Sequence, residues 1–370
     1  MASIKRRSDR GNRWEVRYRD PEGKQRARLF DRKVDADRFA TSVEHSKLVG
    51  GYVDPAAGRR LFGDYARGWQ AAQVTRATTA AQVASHLRNH VLPTFEHRPL
   101  ASVRPSEVQA WVKGRADVLA PATVEVVYRY LAAIFAAAVE DRLIPVTPCK
   151  GVRLPKVEAA QVVPLSTEAV EALIGAVPER YRALVVLAAG TGLRQGEAFG
   201  LTTGAVDFLR RSLRVERQLV LLPGGPPYLA PPKTAASRRT VPLPDVVIEA
   251  LAAHLTAYRV EGDGLIFTTP AGEPIRRNRF GDVWRAAVKR AGLPDGTGFH
   301  ALRHYYASLL IRHGESVKVV QARLGHASAS ETLDTYSHLW PDSEDRTRAA
   351  VDSVLGVRAP DVHQRGTADA

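Results

Sequence analysis

The strongest limit on the fold comes from a proline-rich segment near the middle of the chain. The stretch IPVTPCKGVRLPKVEAAQVVPLS contains Pro145, Pro148, Pro155 and Pro164. Proline lacks a backbone N–H and fits poorly inside helices and sheets, so we expect no regular element to cross this stretch. We therefore predict separate folded bodies joined by a linker at 146–164. The chain length of 370 residues supports this prediction, because it exceeds the usual size of a domain with a single hydrophobic core.

The amino-terminal stretch has the period of strands. In NRWEVRYR, residues 12–19, apolar and charged side chains alternate as in a half-buried strand. A turn at DPEGK and a returning strand at QRARLF follow, and DRKVDADRFATSVEHSK then predicts a helix with Val34, Phe39 and Val43 turned inward. The result is a small α+β hairpin-plus-helix module over 1–55. Its arginine-bearing strands suit the major groove of DNA, although a solvated ribbon has the same pattern.

Residues 60–145 have a helical pattern, and we predict an all-α domain there. The expected helices lie near 62–74, 78–91, 105–115 and 121–141, separated by Pro93, Pro105 and Pro121. The apolar run LAAIFAAAV at 131–139 falls well short of the roughly 18 residues that cross a bilayer. We therefore expect no membrane-spanning helix and no membrane partner.

Beyond the linker, residues 165–345 combine helices with a few strands. A capping signal opens STEAVEALIGAV, and ERYRALVVLAAGTG predicts a buried helix ended by glycine. RSLRVERQLVLL and RRTVPL predict strands flanking a Pro/Gly-rich turn, before helices return from about 278 to 355. We expect a mainly α domain with a small antiparallel sheet, followed over 346–370 by a carboxy-terminal helix and a flexible tail.

Composition limits the partners and the compartment. Lys and Arg exceed Asp and Glu by 53 to 39, which gives a formal net charge of +14. Nucleic acid is the leading polyanion for such a chain, although a merely basic surface protein has the same balance. Cys149 is the single cysteine, which excludes a disulfide framework and a cysteine-cluster zinc site. The charged amino terminus lacks the apolar centre of a secretory signal, so we expect a cytoplasmic, nucleoid-associated protein.

Two arginines have the setting of an anion site. In HALRHYYASLLIRHG, His300 and Arg303 lie three residues apart near the start of a predicted helix, where free N–H groups favour an anion. In TGLRQGEAFGL, Arg194 follows a glycine-bounded turn, and Glu197 is expected to orient it. The two guanidinium groups suit a bidentate clamp on one phosphate. Taken alone, an HxxR motif is more often a pair of solvated surface residues.

Three further residues complete the candidate set. Lys233 lies in the turn of PPKTAASRRTVPLP, where lysine is usually solvated, but an ammonium near a phosphate can protonate a departing alkoxide. His326 follows a helix-ending glycine in RLGHAS, and Ser328 and Glu331 then cap a new helix. Tyr336 lies about one and a half turns into that helix. It shares a stripe with neighbours that also suit a core tyrosine: Thr332, Leu333 and Leu339.

The order of these residues within one domain resembles the tyrosine recombinase, or phage integrase, family. TGLRQGE, PKTAASRRTVPL, HALRH, LGHAS and TLDTYSH are similar to its successive signature boxes. The resemblance covers roughly residues 60–345 and implies the tyrosine recombinase catalytic fold. The amino-terminal module is similar to the arm-type DNA-binding domain of larger integrases, and the helical region to their core-binding (SAM-like) domain. The catalytic set that the resemblance implies is Arg194, Lys233, His300, Arg303, His326 and Tyr336.

The resemblance implies a site-specific recombinase that integrates a mobile element. By that resemblance Tyr336 attacks a DNA phosphodiester, forms a 3′-phosphotyrosyl bond and expels a 5′-hydroxyl, without ATP and without a required metal or other cofactor. Arg194 and Arg303 would clamp the phosphate, and His300 would exchange a proton with the tyrosine oxygen.

The remaining two positions concern the phosphate oxygens. By the same resemblance, His326 would hydrogen-bond a nonbridging oxygen, and Lys233 would protonate the leaving 5′-oxygen. A metal nuclease fits poorly, because the boxes carry Arg, Lys and His rather than converging carboxylates. Two other functions stay open: a type IB topoisomerase-like enzyme that relaxes DNA, and a DNA-binding regulator that kept the fold and lost cutting.

The family also implies partners. These are double-stranded DNA attachment sites, three further copies of the chain at a synapse, and host factors that bend DNA or set directionality. The helix near 342–355, with Val351 and Leu355 on one side, suits packing on a neighbouring protomer and packing on its own domain equally well. The sequence leaves open the attachment sites and whether the element is a phage, a plasmid or an integrative conjugative element.

Overall fold

The chain folds into two compact units, residues 1–159 and residues 160–370. The computed structural model describes residues 2–20, 23–48, 52–54, 56–158, 161–340 and 344–355. The division falls in the proline-rich segment, where the described residues 146–158 and 161–165 form neither helix nor strand. The prolines therefore have the effect on local structure that the sequence predicts.

The first unit begins with a three-stranded antiparallel sheet packed against a helix. Its elements are β1 (Ser3–Arg7), β2 (Arg13–Arg19), β3 (Gln25–Phe30) and α1 (Lys33–Leu48), with β2 at the centre of the sheet. The alternation in β2 turns Val16 and Tyr18 into a small core beneath α1. Strand β1 is an addition to the predicted hairpin, because SIKRR offers a single apolar residue and no alternation. Of the predicted turn, Pro21 and Glu22 lie outside the described residues.

The inward face of α1 differs from the prediction at one position. Val34 is 48% exposed, whereas Ala36, Ala40 and Val43 are buried. The three buried residues are spaced four and three apart and share one face of the helix, which position 34 does not join. Two of them are alanines, which let α1 lie close to the sheet. Phe39 is half-buried and contacts the rings of Tyr18 and Phe30.

The rest of the first unit is helical. Its helices are α2 (Phe62–Ala71), α3 (Ala77–His86), α4 (Leu92–Phe95), α5 (Pro105–Ala116) and α6 (Pro121–Glu140). Pro105 and Pro121 each begin a helix, where the missing N–H has no helical partner to lose. Pro93 instead lies within α4, and a π-helical turn, Leu87–Val91, joins α3 to α4. The helical path thus continues where the sequence predicts a break.

Helix α6 forms the centre of this helical core. Among the described residues it is the one helix whose length and composition would allow it to cross a membrane. The sequence prediction considered only the shorter run LAAIFAAAV, which lies within this helix. Its apolar side chains are buried against those of the other helices, including Phe62 and Phe95. The buried residues of α6 are Val124, Val127, Leu131, Ile134, Phe135 and Ala138. Helix α6 is therefore a core helix of this unit.

Side chains of each unit form hydrogen bonds with backbone groups of the linker. In the first unit the Tyr128 hydroxyl donates to the Cys149 carbonyl at 2.6 Å, and the Arg153 N–H donates to Gln109 Oε1 at 2.8 Å. In the second unit His338 Nε2 lies 2.9 Å from the Val162 carbonyl oxygen. These contacts hold the backbone of a segment that has no regular structure of its own.

The second unit consists mainly of helices. They are α7 (Thr167–Ala176), α8 (Arg182–Thr191), α9 (Gln195–Phe199), α10 (Asp245–Ala257), α11 (Arg277–Arg290), α12 (Ala301–Arg312), α13 (Val317–Leu324), α14 (Ala329–Tyr336) and α15 (Glu344–Leu355). Helix α8 is buried on most sides and ends at Gly192 with φ 63°, as its sequence predicts. Helix α10 is an addition to the predicted elements, because the sequence predicts no helix between the strand RRTVPL and residue 278.

Five short strands lie between α9 and α10. β4 (Val206–Asp207), β5 (Ser212–Val215) and β8 (Arg239–Pro242) form one antiparallel sheet in the order β4-β5-β8, and β6 (Gln218–Val220) pairs with β7 (Tyr228–Ala230) as a hairpin. The predicted strand RSLRVERQLVLL is therefore two strands, because the chain leaves the sheet after Val215 and enters the hairpin at Gln218. Lys233 follows this hairpin.

Helix α15 leaves its apolar residues uncovered. Val351 is 49% exposed and Leu355 is 71% exposed. The side chains predicted to form a packing stripe are thus not buried against their own unit. The predicted tail at 356–370 lies outside the described residues.

Candidate active site

Arg303 joins the ends of two helices at the centre of the site. It is 2% exposed, and it donates from Nη1 to the Gly192 carbonyl and from Nη2 to the Leu324 carbonyl, each at 2.7 Å. These carbonyls lie at the carboxyl ends of α8 and α13, where the helix dipole is negative. Burial lowers the pKa of Arg303 to about 9, as do the charges of Arg194 and Arg239, and the guanidinium remains charged at neutral pH. Arg303 is therefore not a solvated surface residue.

Arg194 lies beside Arg303. It precedes the first residue of α9, and its Nη2 donates to the Gly325 carbonyl at 3.3 Å. The carbonyls of Leu324 and Gly325 are consecutive along the chain and accept from Arg303 and Arg194 respectively. The two guanidinium groups are thus neighbours, as a clamp on one phosphate requires.

Glu197 holds Arg194 together with a second arginine. It is 4% exposed, and its carboxylate lies 3.2 Å from Arg194 Nη1 and 2.9 Å from Arg239 Nη2. Burial alone would raise the pKa of Glu197, but the hydrogen bond and charge of Arg239, together with those of Arg194, lower it overall. A carboxylate that stays ionised and paired suits the orienting role expected from the sequence.

Arg239 is absent from the set of site residues that the sequence predicts. It also donates from Nε to the Arg323 carbonyl at 2.7 Å, so it connects β8 to α13. The available signal was the alternation in β8, where Arg239 and the buried Val241 lie two residues apart and therefore on one face.

One histidine just before α12 and one within it face the same region. His300 precedes the helix and is exposed as a residue, and its ring centroid lies 4.8 Å from that of His304. Partial desolvation of the ring and the charges of His304, Arg303 and Arg194 lower the pKa of His300 to about 4. His304 is half-buried, and burial and the Arg303 charge lower its pKa as well. Both rings are therefore neutral at pH 7.

His326 is buried against the tyrosine-bearing helix. It is 6% exposed, its Nδ1 lies 2.8 Å from Thr332 Oγ1, and its ring stacks on that of Tyr336 with centroids 6.4 Å apart. Burial and the charge of Arg303 lower the pKa of His326 to about 4. Thr332, which is 0% exposed, thus fixes one ring nitrogen, and the other, Nε2, lies 3.8 Å from Glu331 Oε1.

Tyr336 is the last residue of α14 and is 1% exposed. Its hydroxyl lies 2.7 Å from His304 Nδ1, and the two rings meet edge to face with centroids 5.6 Å apart. Burial raises the pKa of Tyr336 to about 12, although the charges of Arg303 and Arg194 oppose the rise. The predicted stripe is only partly buried, because Leu333 is 41% exposed.

Lys233 is the one predicted residue that the structure does not bring to this cluster. It is exposed, in a bend between the β6–β7 hairpin and β8, and it makes no hydrogen bond or ion pair within the described part of the chain. Nearby, the Ser237 hydroxyl lies 3.5 Å from Arg194 Nη1, so the segment after Lys233 does reach the site.

The assembled groups can bind and stabilise an anion. The guanidinium groups of Arg194, Arg239 and Arg303 outnumber the carboxylates described near them, those of Glu197 and, beside His326, Glu331, which leaves an excess of positive charge. Fixed cations of this kind stabilise the extra negative charge of a pentacoordinate phosphorane. Among the described residues no group of three or more His, Cys, Asp or Glu side chains is placed to hold a metal ion.

Comparison with known proteins gives consistent matches along the chain. Residues 159–342 match the model of the phage integrase family, and residues 62–154 match that of the phage integrase central domain. The chain is similar to the putative prophage phiRv2 integrase of Mycobacterium tuberculosis, with 30% identity over 355 residues that cover 93% of each protein.

Two solved structures show the same fold. The Tn1549 transposon integrase in complex with transposon right end DNA matches with a TM-score of 0.66 and 23% identity, over 80% of this chain and 99% of that one. A lambda integrase tetramer bound to a Holliday junction matches with a TM-score of 0.57 and 19% identity, over 89% of this chain and 96% of that one. The predicted fold class, multidomain and mainly helical with small antiparallel sheets, is confirmed.

Proposed function

The chain belongs to the phage integrase family of tyrosine recombinases, and from this premise we propose how its residues divide the work of a site-specific recombinase. The enzyme cuts and rejoins DNA strands, and its relatives are integrases of mobile elements. We assign the catalytic roles to Arg194, Lys233, His300, Arg303, His326 and Tyr336. The observation that carries this assignment is the placement of the Tyr336 hydroxyl in the same small region as the two neighbouring guanidinium groups.

In the proposed reaction the phosphate enters between these arginines. Arg194 and Arg303 hold its nonbridging oxygens while Tyr336 Oη attacks phosphorus and the bond to the 5′-oxygen breaks. The product is a 3′-phosphotyrosyl bond that conserves the energy of the phosphodiester, and a 5′-hydroxyl from another strand reverses the step. His326 Nε2 donates to a nonbridging oxygen, since Thr332 already engages Nδ1.

Lys233 and His300 act from more exposed positions. We assign Lys233 as the acid that protonates the leaving 5′-oxygen, with the hairpin segment moving onto the DNA when the complex forms. His300 lies at the start of α12, where it can contact the phosphate or exchange a proton near it.

Partners follow from the same premise. We propose that the second unit and the helical core at 60–145 each contact double-stranded attachment-site DNA, that the sheet of the 1–55 module binds a separate arm-type site, and that four copies meet at the synapse. The uncovered residues of α15, Val351 and Leu355, suit a neighbouring protomer, and lambda integrase, whose fold this chain shares, forms a tetramer on a Holliday junction. Host bending and directionality factors, and a cytoplasmic location at the nucleoid, belong to this proposal.

A suicide substrate tests the central assignment. The substrate is a duplex spanning the junction between the element and its flanking DNA, nicked close to the cleavage point so that the released 5′-hydroxyl fragment diffuses away. The wild-type protein should accumulate a covalent adduct that survives denaturation, while Tyr336→Phe should bind the duplex with similar affinity and form none. Relaxation of plasmids lacking the site would favour a topoisomerase. Binding without any wild-type adduct would favour a non-catalytic regulator.

A further inference from the structure

His304 has a contact that none of the six assigned roles explains. Its Nδ1 lies 2.7 Å from the hydroxyl of Tyr336, the atom that must become the nucleophile. His300, which the family resemblance indicates as the proton partner, makes no hydrogen bond to Tyr336 in the described structure and is exposed. The attacking hydroxyl therefore already has a hydrogen-bond partner, and that partner is on α12 four residues after His300.

Both partners in this hydrogen bond are neutral at neutral pH. The phenol keeps its proton at neutral pH, because burial raises the pKa of Tyr336 to about 12. The imidazole is neutral, because burial and the Arg303 charge lower the pKa of His304. Two neutral groups can form this hydrogen bond in either direction, depending on the imidazole tautomer. In the tautomer that carries its proton on Nε2, Tyr336 Oη donates to His304 Nδ1, and this is the form that can receive the phenolic proton.

The surroundings fix both partners in this geometry. Tyr336 is 1% exposed, with its ring stacked on His326 at a 7° angle between the ring planes. On the α12 side, Arg303 immediately precedes His304 and is locked by the Gly192 and Leu324 carbonyls. His304 is thus carried on a turn of helix that the site itself immobilises, which is what a positioned proton acceptor requires.

We propose that His304 is a catalytic residue of the recombinase, the base that receives the phenolic proton as Tyr336 attacks DNA. This inference rests on the proposed function. The Oη–P bond forms, the P–O5′ bond breaks, the Tyr336 proton moves to His304 Nδ1, and a separate donor, assigned above to Lys233, supplies the proton of the leaving 5′-hydroxyl. In rejoining, the incoming 5′-oxygen attacks, and His304 returns its proton to the departing phenolate.

The alternative is that His304 only positions the tyrosine ring. Asparagine separates the two roles, because its side-chain oxygen can accept a hydrogen bond from the phenol but cannot take the proton at neutral pH. The leaving group provides a second test, which distinguishes loss of the base from loss of the acid. A substrate with a 5′-bridging phosphorothiolate releases a thiolate, which needs no acid, so it restores cleavage to enzymes that lack the acid but not to those that lack the base.

The experiment measures single-turnover adduct formation by the full chain on the nicked junction duplex, with oxygen or sulfur at the bridging position. His304→Asn and His304→Ala should each slow adduct formation about 10²- to 10⁴-fold with unchanged DNA affinity, and the sulfur substrate should not restore either. The matched control, Lys233→Ala, should be restored by sulfur. Circular dichroism and the duplex Kd confirm that each variant is folded.

Three results would overturn the assignment. Wild-type rates in His304→Asn would mean that His304 only positions the ring. Restoration of the His304 variants by sulfur would mean that it acts on the leaving group. Absence of an adduct from the wild-type protein on both substrates would remove the proposed function itself, and that failure is distinct because it affects every variant equally.

Discussion

At the scale of single residues, the site depends on buried charges that hold one another. Glu197 accepts from both Arg194 and Arg239 while being 4% exposed. A buried charge that loses its partner costs far more than a surface ion pair contributes, because the remaining group is left desolvated and unpaired. The arrangement therefore links the orientation of a phosphate-binding arginine to the stability of the second unit.

Removing the charge of Glu197 should expose this link. Glu197→Gln leaves Arg239 buried without a counter-charge, and we expect the second unit to lose about 3–5 kcal/mol of unfolding free energy. Urea unfolding followed by circular dichroism measures the loss. The control is Asp282→Asn, which breaks an exposed ion pair with Arg285 in the same unit and should cost less than about 1 kcal/mol. Equal losses in the two variants would show that Glu197 is not a structural counter-charge.

Two histidines of the site give the second unit a defined pH dependence. The pKa values of His300 and His326 are lowered to about 4, below the value of about 6.5 expected when unfolded. Below pH 6.5 the unfolded chain binds more protons than the folded one, so stability falls as the pH drops from 6.5 towards 4. His300 is exposed and should contribute little, whereas His326 should contribute on the order of 1–2 kcal/mol at pH 5.

Thermal unfolding at pH 7.5 and pH 5 checks this expectation. The Tm of the wild-type protein should fall on acidification, and His326→Gln, which keeps a hydrogen-bonding group beside Thr332, should show a smaller fall. A variant with the same Tm difference as the wild type would show that His326 is not the group whose protonation destabilises the fold.

At the scale of elements, the site is built where helices end. Gly192 after α8 and Gly325 after α13 both adopt positive φ, and the carbonyls at these two ends hold Arg303 and Arg194. Glycine is required here for its backbone conformation and also for space. A Cβ at Gly192 would lie 2.5 Å from Cδ1 of Tyr306, whereas Gly314 has a similar φ of 83° and nothing within 4 Å of a Cβ.

This pair of glycines gives a matched test. Gly314→Ala should cost about 1 kcal/mol, the price of a left-handed conformation alone, and Gly192→Ala should cost several times more because Tyr306 must also move. The measurement is the change in urea midpoint at constant m value. We also expect Gly192→Ala to impair adduct formation, since its carbonyl holds Arg303. Similar stability losses in both variants would contradict the close packing at Gly192.

The elements also show what could and could not be predicted from the sequence. The ends of α8, α12 and α13 were predictable, because glycine and capping residues act locally. The neighbouring positions of Arg194 and Arg303 depend on consecutive carbonyls of a third segment, and no local pattern encodes that contact. His304 belonged to a recognised box, but its role as the partner of Tyr336 depends on how α14 packs on α12. Strand β1 could not be predicted, because SIKRR contains a single apolar residue. Helix α10 could have been predicted, because Val247 and Leu251 are apolar and four residues apart.

At the scale of the whole molecule, positive charge is concentrated on one face of the amino-terminal sheet. Register places Ser3, Lys5 and Arg7 of β1 beside Arg17, Glu15 and Arg13 of β2 on the side away from the small core. Glu15 is the one acidic side chain among these six and is itself bound by Arg17 at 2.8 Å. Cations on such a face release counterions when they bind DNA phosphates. Each phosphate contact makes the slope of log K against log salt concentration steeper by about 0.9.

A triple substitution tests whether this face binds DNA. Arg13→Ala, Arg17→Ala and Arg19→Ala together should lower the salt slope of binding to arm-type DNA by up to about 3, while adduct formation on a short core duplex should remain at the wild-type rate. Arg38→Ala, on the exposed side of α1, is the control and should leave the slope unchanged. An unchanged slope in the triple variant would place arm binding elsewhere.

Every catalytic role proposed for this chain depends on a covalent bond between DNA and one tyrosine, so locating that bond is the most direct test. The adduct formed on the nicked junction duplex should be digested with trypsin and nuclease and sequenced by tandem mass spectrometry. We predict a nucleotide attached through its 3′-phosphate to Tyr336, with Tyr305 and Tyr306 unmodified. Attachment to any other residue, or through a 5′-phosphate, would contradict the assignment of Tyr336 as the nucleophile.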